Sequence, residues 1–305
     1  MPDTASPRVV RLGPLMPSLV KALEERYAAT ELVGEAPAAD VLVVGHGTPV
    51  TAAEMDLLPS LRAVANFGVG YDNVDVEEAT RRGIAVSNTP DVLTDAVAEL
   101  TVALVLDVLR RVSAADRFVR RGAWAEGRAF PLGRELRGSR IGILGLGRIG
   151  HEVGRRLEVF GTTVGYHSRT PRDVAWTHHP SPVALAAASD VLVVLTPGGP
   201  GTAHLVDAAV LDALGPAGYL VNVARGSVVD EDALVRALEE GRLAGAGLDV
   251  FEDEPRVPEA LLGRDDVVLL PHVGSATRET RRAMAELVLA NVEAFLTQGD
   301  LVTPV

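Results

Sequence analysis

Three side chains suited to acting on a small carboxylic acid stand at the ends of short apolar runs in the second half of the chain. Arg225 closes GYLVNVAR (218–225), Glu254 follows GLDVFED and precedes Pro255, and His272 follows VVLLP. A guanidinium is a planar fork that can hold a carboxylate by two parallel N–H bonds. A histidine backed by a carboxylate can pass a proton to an oxygen whose carbon receives a hydride, and an ionised Glu254 favours the imidazolium this needs. Each residue alone reads more readily as structural or solvated than as catalytic. Position unites them, because ligands of an open α/β sheet bind beyond the carboxyl ends of its strands.

A second chemical signature lies upstream. Gly145-Leu-Gly147-Arg148-Ile149-Gly150 closes the apolar run IGIL and opens a helical pattern. In that context Gly145 allows a tight turn, Gly147 lets the backbone approach a pyrophosphate, and Gly150 lets helix and strand pack closely. The helix N-terminus offers unpaired N–H groups to phosphate charge. About 20 residues further on, an NAD site usually presents an acid to the ribose hydroxyls. Here GYHSRT supplies His167, Ser168, Arg169 and Thr170 instead. A guanidinium with two hydroxyls suits a 2′-phosphate, so NADP(H) is the expected cofactor and NAD(H) the secondary one.

These groups need a scaffold of alternating strands and helices. VLVVGHG (41–47), RAVANFG (62–68) and IAVSN (84–88) read as strands, and a long helical pattern covers 91–121, with Thr94 and Asp95 as caps. The rhythm restarts with RIGILGLG (140–147), TTVGYHS (162–168), DVLVVLT (190–196), GYLVNVAR (218–225), GAGLDV (245–250) and VVLLPHV (267–273). Helical patterns intervene at 151–160, 182–188, 207–214 and 230–240, and a last one covers 279–296. Near-continuous apolar strands suit parallel sheets, so the fold class is α/β.

Composition removes other chemistries. The formal net charge of −12 over 305 residues argues against nucleic acid and membrane surfaces as partners. Cysteine is absent, which excludes disulfides, thiolate catalysis and Cys-ligated metals. The other histidines (His46, His151, His167, His178, His179, His204) have no metal-ligand spacing with nearby acids, so no metal is expected. No G-x-S-x-G elbow supplies a hydrolytic nucleophile. MPDTASPRVV does not read as a signal peptide, and no run reaches the ~18 apolar residues of a membrane span, so a cytoplasmic protein is expected.

The sequence resembles the D-2-hydroxyacid dehydrogenase family over nearly its whole length, through NFGVGYDNVDVEEATRRGIAVSNTPDVLTDAVAE, GILGLGRIG, VNVARGSVVDEDAL, GAGLDVFEDEP and LLPHVGSAT. It is most similar to the hydroxyphenylpyruvate, hydroxypyruvate and glyoxylate reductase branch. The resemblance implies two Rossmann-like domains with parallel sheets and an active site in the cleft between them. It implies a discontinuous substrate domain of 1–97 and 279–305 and a dinucleotide-binding domain of 98–278. Arg225 would bind the substrate carboxylate and carbonyl, His272 would be the general acid/base, and Glu254 would orient it. Val69 and Gly70 would hold the carboxylate through backbone N–H groups. Asp249 would hold the nicotinamide carboxamide, Val223 and Ala224 would line the ring pocket, and Thr196, Pro197 and Thr202 would border the adenosine and phosphate path. A homodimer through the cofactor domain is implied, with the loop around Phe130 directed at the partner's substrate pocket. Asn66 and Phe67 stand where relatives vary, which leaves side-chain specificity open. The rival from another class is a dinucleotide-sensing, corepressor-type binding protein.

Overall fold

Short Val- and Leu-rich runs that are apolar at every position suit strands buried on both faces. A computed structural model describes residues 8–36 and 38–305, and the chain divides into two compact units, Met1–Leu93 with Ser275–Val305, and Thr94–Gly274. In the first unit β1 (Val9–Leu12), β2 (Thr30–Glu31), β3 (Val41–Val44), β4 (Ala63–Asn66) and β5 (Ala85–Ser87) form a parallel sheet of order β2-β1-β3-β4-β5. The intervening helices are α1 (Pro17–Tyr27), α2 (Ala52–Asp56) and α3 (Val76–Arg81). Leu42, Val44, Met55, Leu58 and Val64 anchor its core. The sequence pattern does not reveal β1 and α1, because Arg11 interrupts the apolar run VVRL. In the fold that charge reaches Glu31 at 3.2 Å.

The second unit opens with α4 (Thr94–Arg110) and α5 (Val112–Arg120) where the sequence reads as one helix. Arg111 breaks it with a left-handed φ of +58°. Thr94 is the first helical residue rather than a cap, and Asp95 in the first turn pairs with Arg156 at 2.5 Å. Then come β6 (Arg140–Leu144), α6 (Arg148–Glu158), β7 (Thr163–His167), β8 (Thr177–His178), α7 (Pro182–Ala187) and β9 (Val191–Val194). They are followed by α8 (Ala208–Leu214), β10 (Tyr219–Asn222), α9 (Glu231–Glu239), β11 (Gly245–Leu248), α10 (Glu259–Leu262) and β12 (Val267–Leu269). Ser181, Asp207 and Asp230 cap α7, α8 and α9 through their side chains. The strands run parallel in the order β12-β11-β10-β9-β6-β7-β8. The sheet grows from β6 towards β7 first and then towards β9, so its topological switch point lies between β6 and β9.

The last helix, α11 (Arg278–Gln298), belongs to the first unit, where it packs on β4. Beyond it Thr303 donates to the Asn88 carbonyl at 2.6 Å, tying the end of the chain to the residue after β5.

Candidate active site

Arg225, Glu254 and His272 follow β10, β11 and β12, three adjacent strands, so the parallel register delivers them to one edge of the sheet. His272 Nδ1 lies 2.7 Å from Glu254 Oε2. A carboxylate only accepts, so Nδ1 carries the proton and Nε2 is the nitrogen left to exchange one. Glu254 is itself held by the Phe251 N–H, which donates to Oε1 at 3.1 Å. The pair lines a cavity of about 250 Å³ with Phe251, Val257, Leu269 and Pro271. Apolar walls of this kind weaken screening by water and strengthen the pair.

His272 has a φ of +54°, a left-handed conformation that costs a non-glycine residue about 1 kcal/mol or more. Asp249 holds it there. The His272 N–H donates to the Asp249 carbonyl at 2.8 Å, and the Val273 and Gly274 N–H groups donate to the two carboxylate oxygens at 2.7 and 2.8 Å. Burial pushes the Asp249 carboxyl above its usual range, against the pull of those two donors. This positioning of the histidine backbone was not foreseen from the sequence. The available signal was an acid inside the buried run GAGLDV, since a buried carboxylate requires donors.

Arg225 projects from a turn shaped by buried Asn222, whose Nδ2 donates to the Arg225 carbonyl at 2.9 Å while its Oδ1 accepts from the Ala224 N–H at 3.0 Å. The next residue must be glycine. A Cβ on Gly226 would stand 1.9 Å from the Phe251 carbonyl carbon, so the loop bearing Arg225 presses directly on the loop bearing Glu254. Gly226→Ala is expected to destabilise the protein by roughly 1–3 kcal/mol and to lower kcat with it. Urea denaturation of the variant reads this, and an unshifted midpoint would show that the two loops do not touch.

The glycine loop occupies the switch point. Gly145 has a φ of +104°, and a Cβ there would lie 2.7 Å from the Thr196 nitrogen. A Cβ on Gly150 would lie 2.5 Å from the Gly145 carbonyl oxygen, whereas one on Gly147 would meet nothing within 4 Å. Gly145 and Gly150 are therefore packing positions, while Gly147 faces open space at the N-terminus of α6, as a bound phosphate requires. Arg148 is exposed and Ile149 half-buried on the first turn of that helix. Thr196 Oγ1 is buried without a partner, a polar atom that a cofactor oxygen can satisfy. The Thr202 hydroxyl donates to the Pro197 carbonyl at 2.7 Å and closes the loop after β9, and Val223 and Ala224 are buried after β10.

Ser168, Arg169 and Thr170 follow β7. His178 Nε2 donates to the Ser168 carbonyl at 3.1 Å, and the Ser168 hydroxyl donates to the Thr170 carbonyl at 2.7 Å. Arg169 is exposed and makes no ion pair among the described residues. The donor set fits a dinucleotide carrying an extra phosphate. Among the described residues no cluster of His, Asp and Glu could hold a metal ion.

Val69 and Gly70 lie in the first unit, in the loop after β4. The carbonyl of Gly68 accepts from the Thr89 N–H at 2.9 Å, that of Val69 from Asn88 Nδ2 at 2.8 Å and that of Gly70 from Asn66 Nδ2 at 2.8 Å. A trans peptide points its N–H away from its C=O. The Val69 and Gly70 N–H groups therefore turn away from those buried partners, an arrangement suited to an anion. Phe130 packs edge-on against Phe118 with ring centroids 5.3 Å apart, and Arg111 lies over its ring.

A glycine loop at the switch point of a parallel sheet, with an acid–base pair and an arginine on neighbouring strands of that sheet, defines a nicotinamide-dependent dehydrogenase. The chain belongs to the D-isomer specific 2-hydroxyacid dehydrogenase family, whose NAD binding domain matches residues 102–274. It is therefore an oxidoreductase of 2-hydroxy acids that uses NAD(P). It is 52% identical to hydroxyphenylpyruvate reductase of Plectranthus scutellarioides, over 86% of this chain and 84% of that one. It is 46% identical to glyoxylate/hydroxypyruvate reductase A of Arabidopsis thaliana, over 97% and 98% of the two chains. A crystal structure of the NADPH-dependent glyoxylate/hydroxypyruvate reductase of Sinorhizobium meliloti, in complex with NADP and malonate, matches with a TM-score of 0.94 at 47% identity, covering 98% of this chain and 97% of that one. Among the described residues no helix is long and apolar enough to cross a membrane.

Proposed function

We propose that the enzyme reduces small 2-oxo acids of the glyoxylate, hydroxypyruvate or hydroxyphenylpyruvate type to D-2-hydroxy acids, with NADPH preferred over NADH. The observation that carries this reading is the 2.7 Å Glu254–His272 pair on the same sheet edge as the glycine loop. Relatives named as reductases of these acids support the substrate class. The bound cofactor supplies the hydride. His272 Nε2 gives a proton to the carbonyl oxygen, Arg225 holds the carboxylate and polarises the carbonyl, and Glu254 keeps the ring oriented and charged. We assign the Thr94–Gly274 unit to the cofactor and the other unit to the acid, with the Val69 and Gly70 N–H groups as its carboxylate-binding element. We also read the enzyme as a cytoplasmic homodimer paired through the cofactor unit, where exposed Val112, Val119, Trp124 and Leu132 supply apolar surface.

Steady-state kinetics on glyoxylate, hydroxypyruvate, hydroxyphenylpyruvate and pyruvate with each nicotinamide tests the reading. Turnover of none of them would overturn it. Arg169→Ala is expected to lower kcat/KM for NADPH by roughly tenfold or more, the worth of one charge-assisted contact, while moving NADH far less. Equal losses for both cofactors would remove Arg169 from phosphate recognition.

A further inference from the structure

The short strand β8 forms the edge of the seven-stranded sheet, beside β7. Its register sets His178 next to Tyr166, with the two rings 5.2 Å apart, and His178 also stacks on His167 at 5.9 Å. A carbonyl oxygen only accepts, so the 3.1 Å contact between His178 Nε2 and the Ser168 carbonyl requires a proton on Nε2. That proton is present whether or not the ring also carries one on Nδ1. The segment leading to His178 is fastened separately. Trp176 fills the space that Gly154 leaves on α6, where a Cβ would stand 2.3 Å from the indole, and its Nε1 donates to Glu158 at 2.8 Å. The His179 N–H adds a bond to the Tyr166 carbonyl at 2.8 Å. These contacts hold β8 in place and leave the His178 imidazole to act on the loop after β7.

The first two carbonyls at that strand end are each held from the protein side. The Gly145 N–H donates to the His167 carbonyl at 2.9 Å, and His178 Nε2 to that of Ser168. A trans peptide points its N–H away from its C=O, so the Ser168 and Arg169 N–H groups turn away from those donors. Adjacent N–H groups beside an exposed guanidinium are an arrangement suited to an anion. The far end of the loop is closed by the buried Tyr166 hydroxyl, which accepts from the Arg172 N–H at 2.7 Å and donates to its carbonyl at 3.2 Å. One bond, from His178, therefore fixes the peptide between Ser168 and Arg169. We propose that His178 is a positioning residue for the 2′-phosphate of NADPH, aiming the Arg169 N–H and with it the Arg169 side chain. This rests on the proposed NADPH preference and adds a specificity determinant from a strand outside both the glycine loop and the residues after β7. Without the imidazole donor the Ser168 carbonyl turns to water, and ordering its peptide on binding subtracts from affinity for the phosphate-bearing cofactor. NADH brings no phosphate to that loop and is affected little.

Adenosine 2′,5′-bisphosphate and 5′-AMP differ by the 2′-phosphate alone. The ratio of their dissociation constants, measured by calorimetry, reads recognition of that group without turnover. His178→Phe keeps an aromatic ring against Tyr166 and removes the donor. It is expected to lower the preference for the bisphosphate by roughly three- to tenfold, the worth of one hydrogen bond, while AMP affinity stays close to wild type. His178→Gln restores a side-chain N–H donor and is expected to recover most of that loss. KM for NADPH should follow the bisphosphate, and KM for NADH should follow AMP. A preference that His178→Phe keeps, equal weakening of both nucleotides, or a Gln variant no better than Phe overturns the role of His178. Those outcomes leave the NADPH preference standing, because the wild type still binds the bisphosphate more tightly. A wild type that binds both nucleotides equally overturns the NADPH preference, and this proposal with it.

Discussion

Replacing His272 with alanine is expected to slow 2-oxo acid reduction by roughly 10²–10⁴-fold while leaving cofactor affinity close to wild type. Hydride arrival puts negative charge on the carbonyl oxygen, and Nε2 is the proton source the structure offers on that sheet edge. Its competence depends on Nδ1, whose proton is held by Glu254 at 2.7 Å. Glu254→Gln keeps the size of the side chain and an oxygen for the Phe251 N–H, but removes the charge beside the ring. Without the carboxylate the ring loses the charged acceptor that fixes its Nδ1 proton, and kcat/KM for reduction is expected to fall by roughly tenfold or more. Steady-state kinetics with a deuterated cofactor, to establish that hydride transfer limits the rate, provide the check. A kcat/KM for reduction that Glu254→Gln leaves unchanged would mean that Glu254 does not hold the ring for proton transfer.

Asp249→Asn is expected to have the second largest effect, because it damages the support of the histidine rather than the histidine itself. One of the Val273 and Gly274 N–H groups, now 2.7 and 2.8 Å from carboxylate oxygens, would face an amide NH₂. A buried donor left unpaired costs about 1–3 kcal/mol. The left-handed His272 backbone would lose its restraint, and a displacement of about 1 Å in a reacting group can reduce kcat by roughly 10²-fold. The expected signature is therefore a lower melting temperature and a lower kcat with little change in cofactor Kd. If Kd rises and kcat holds, the residue acts chiefly on the nicotinamide. The pH dependence has a definite sign. Burial raises the Asp249 pKa in the folded state, so in the window between the ordinary carboxylate range and that raised value the folded chain binds more protons than the unfolded one. Stability conferred by the wild-type carboxyl is then greatest at acid pH and declines as pH rises through the window. The stability gap between wild type and the non-titrating Asn variant should narrow over the same range, and melting curves across pH read it directly.

What the sequence by itself determined follows from interactions that are local in the chain. The glycine loop is legible because its task, a turn followed by a helix N-terminus, is completed within six residues, Gly145 to Gly150. Parallel strands are legible because burial on both faces demands unbroken apolar runs, and a charge inside one, Arg11 in β1, hides the strand. The break at Arg111 is invisible because the helical periodicity continues across it. Arginine, glutamate and histidine at strand ends could be nominated from residue type and position. The tertiary structure alone decided how they are held: Asp249 restrains the backbone 24 and 25 residues ahead, and Asn88 turns a carbonyl 19 residues behind it. It alone placed Arg281 of the last helix over Phe67, the residue after β4. A buried polar group takes whichever partner the folded chain brings within about 3 Å, and sequence separation says nothing about which partner that is.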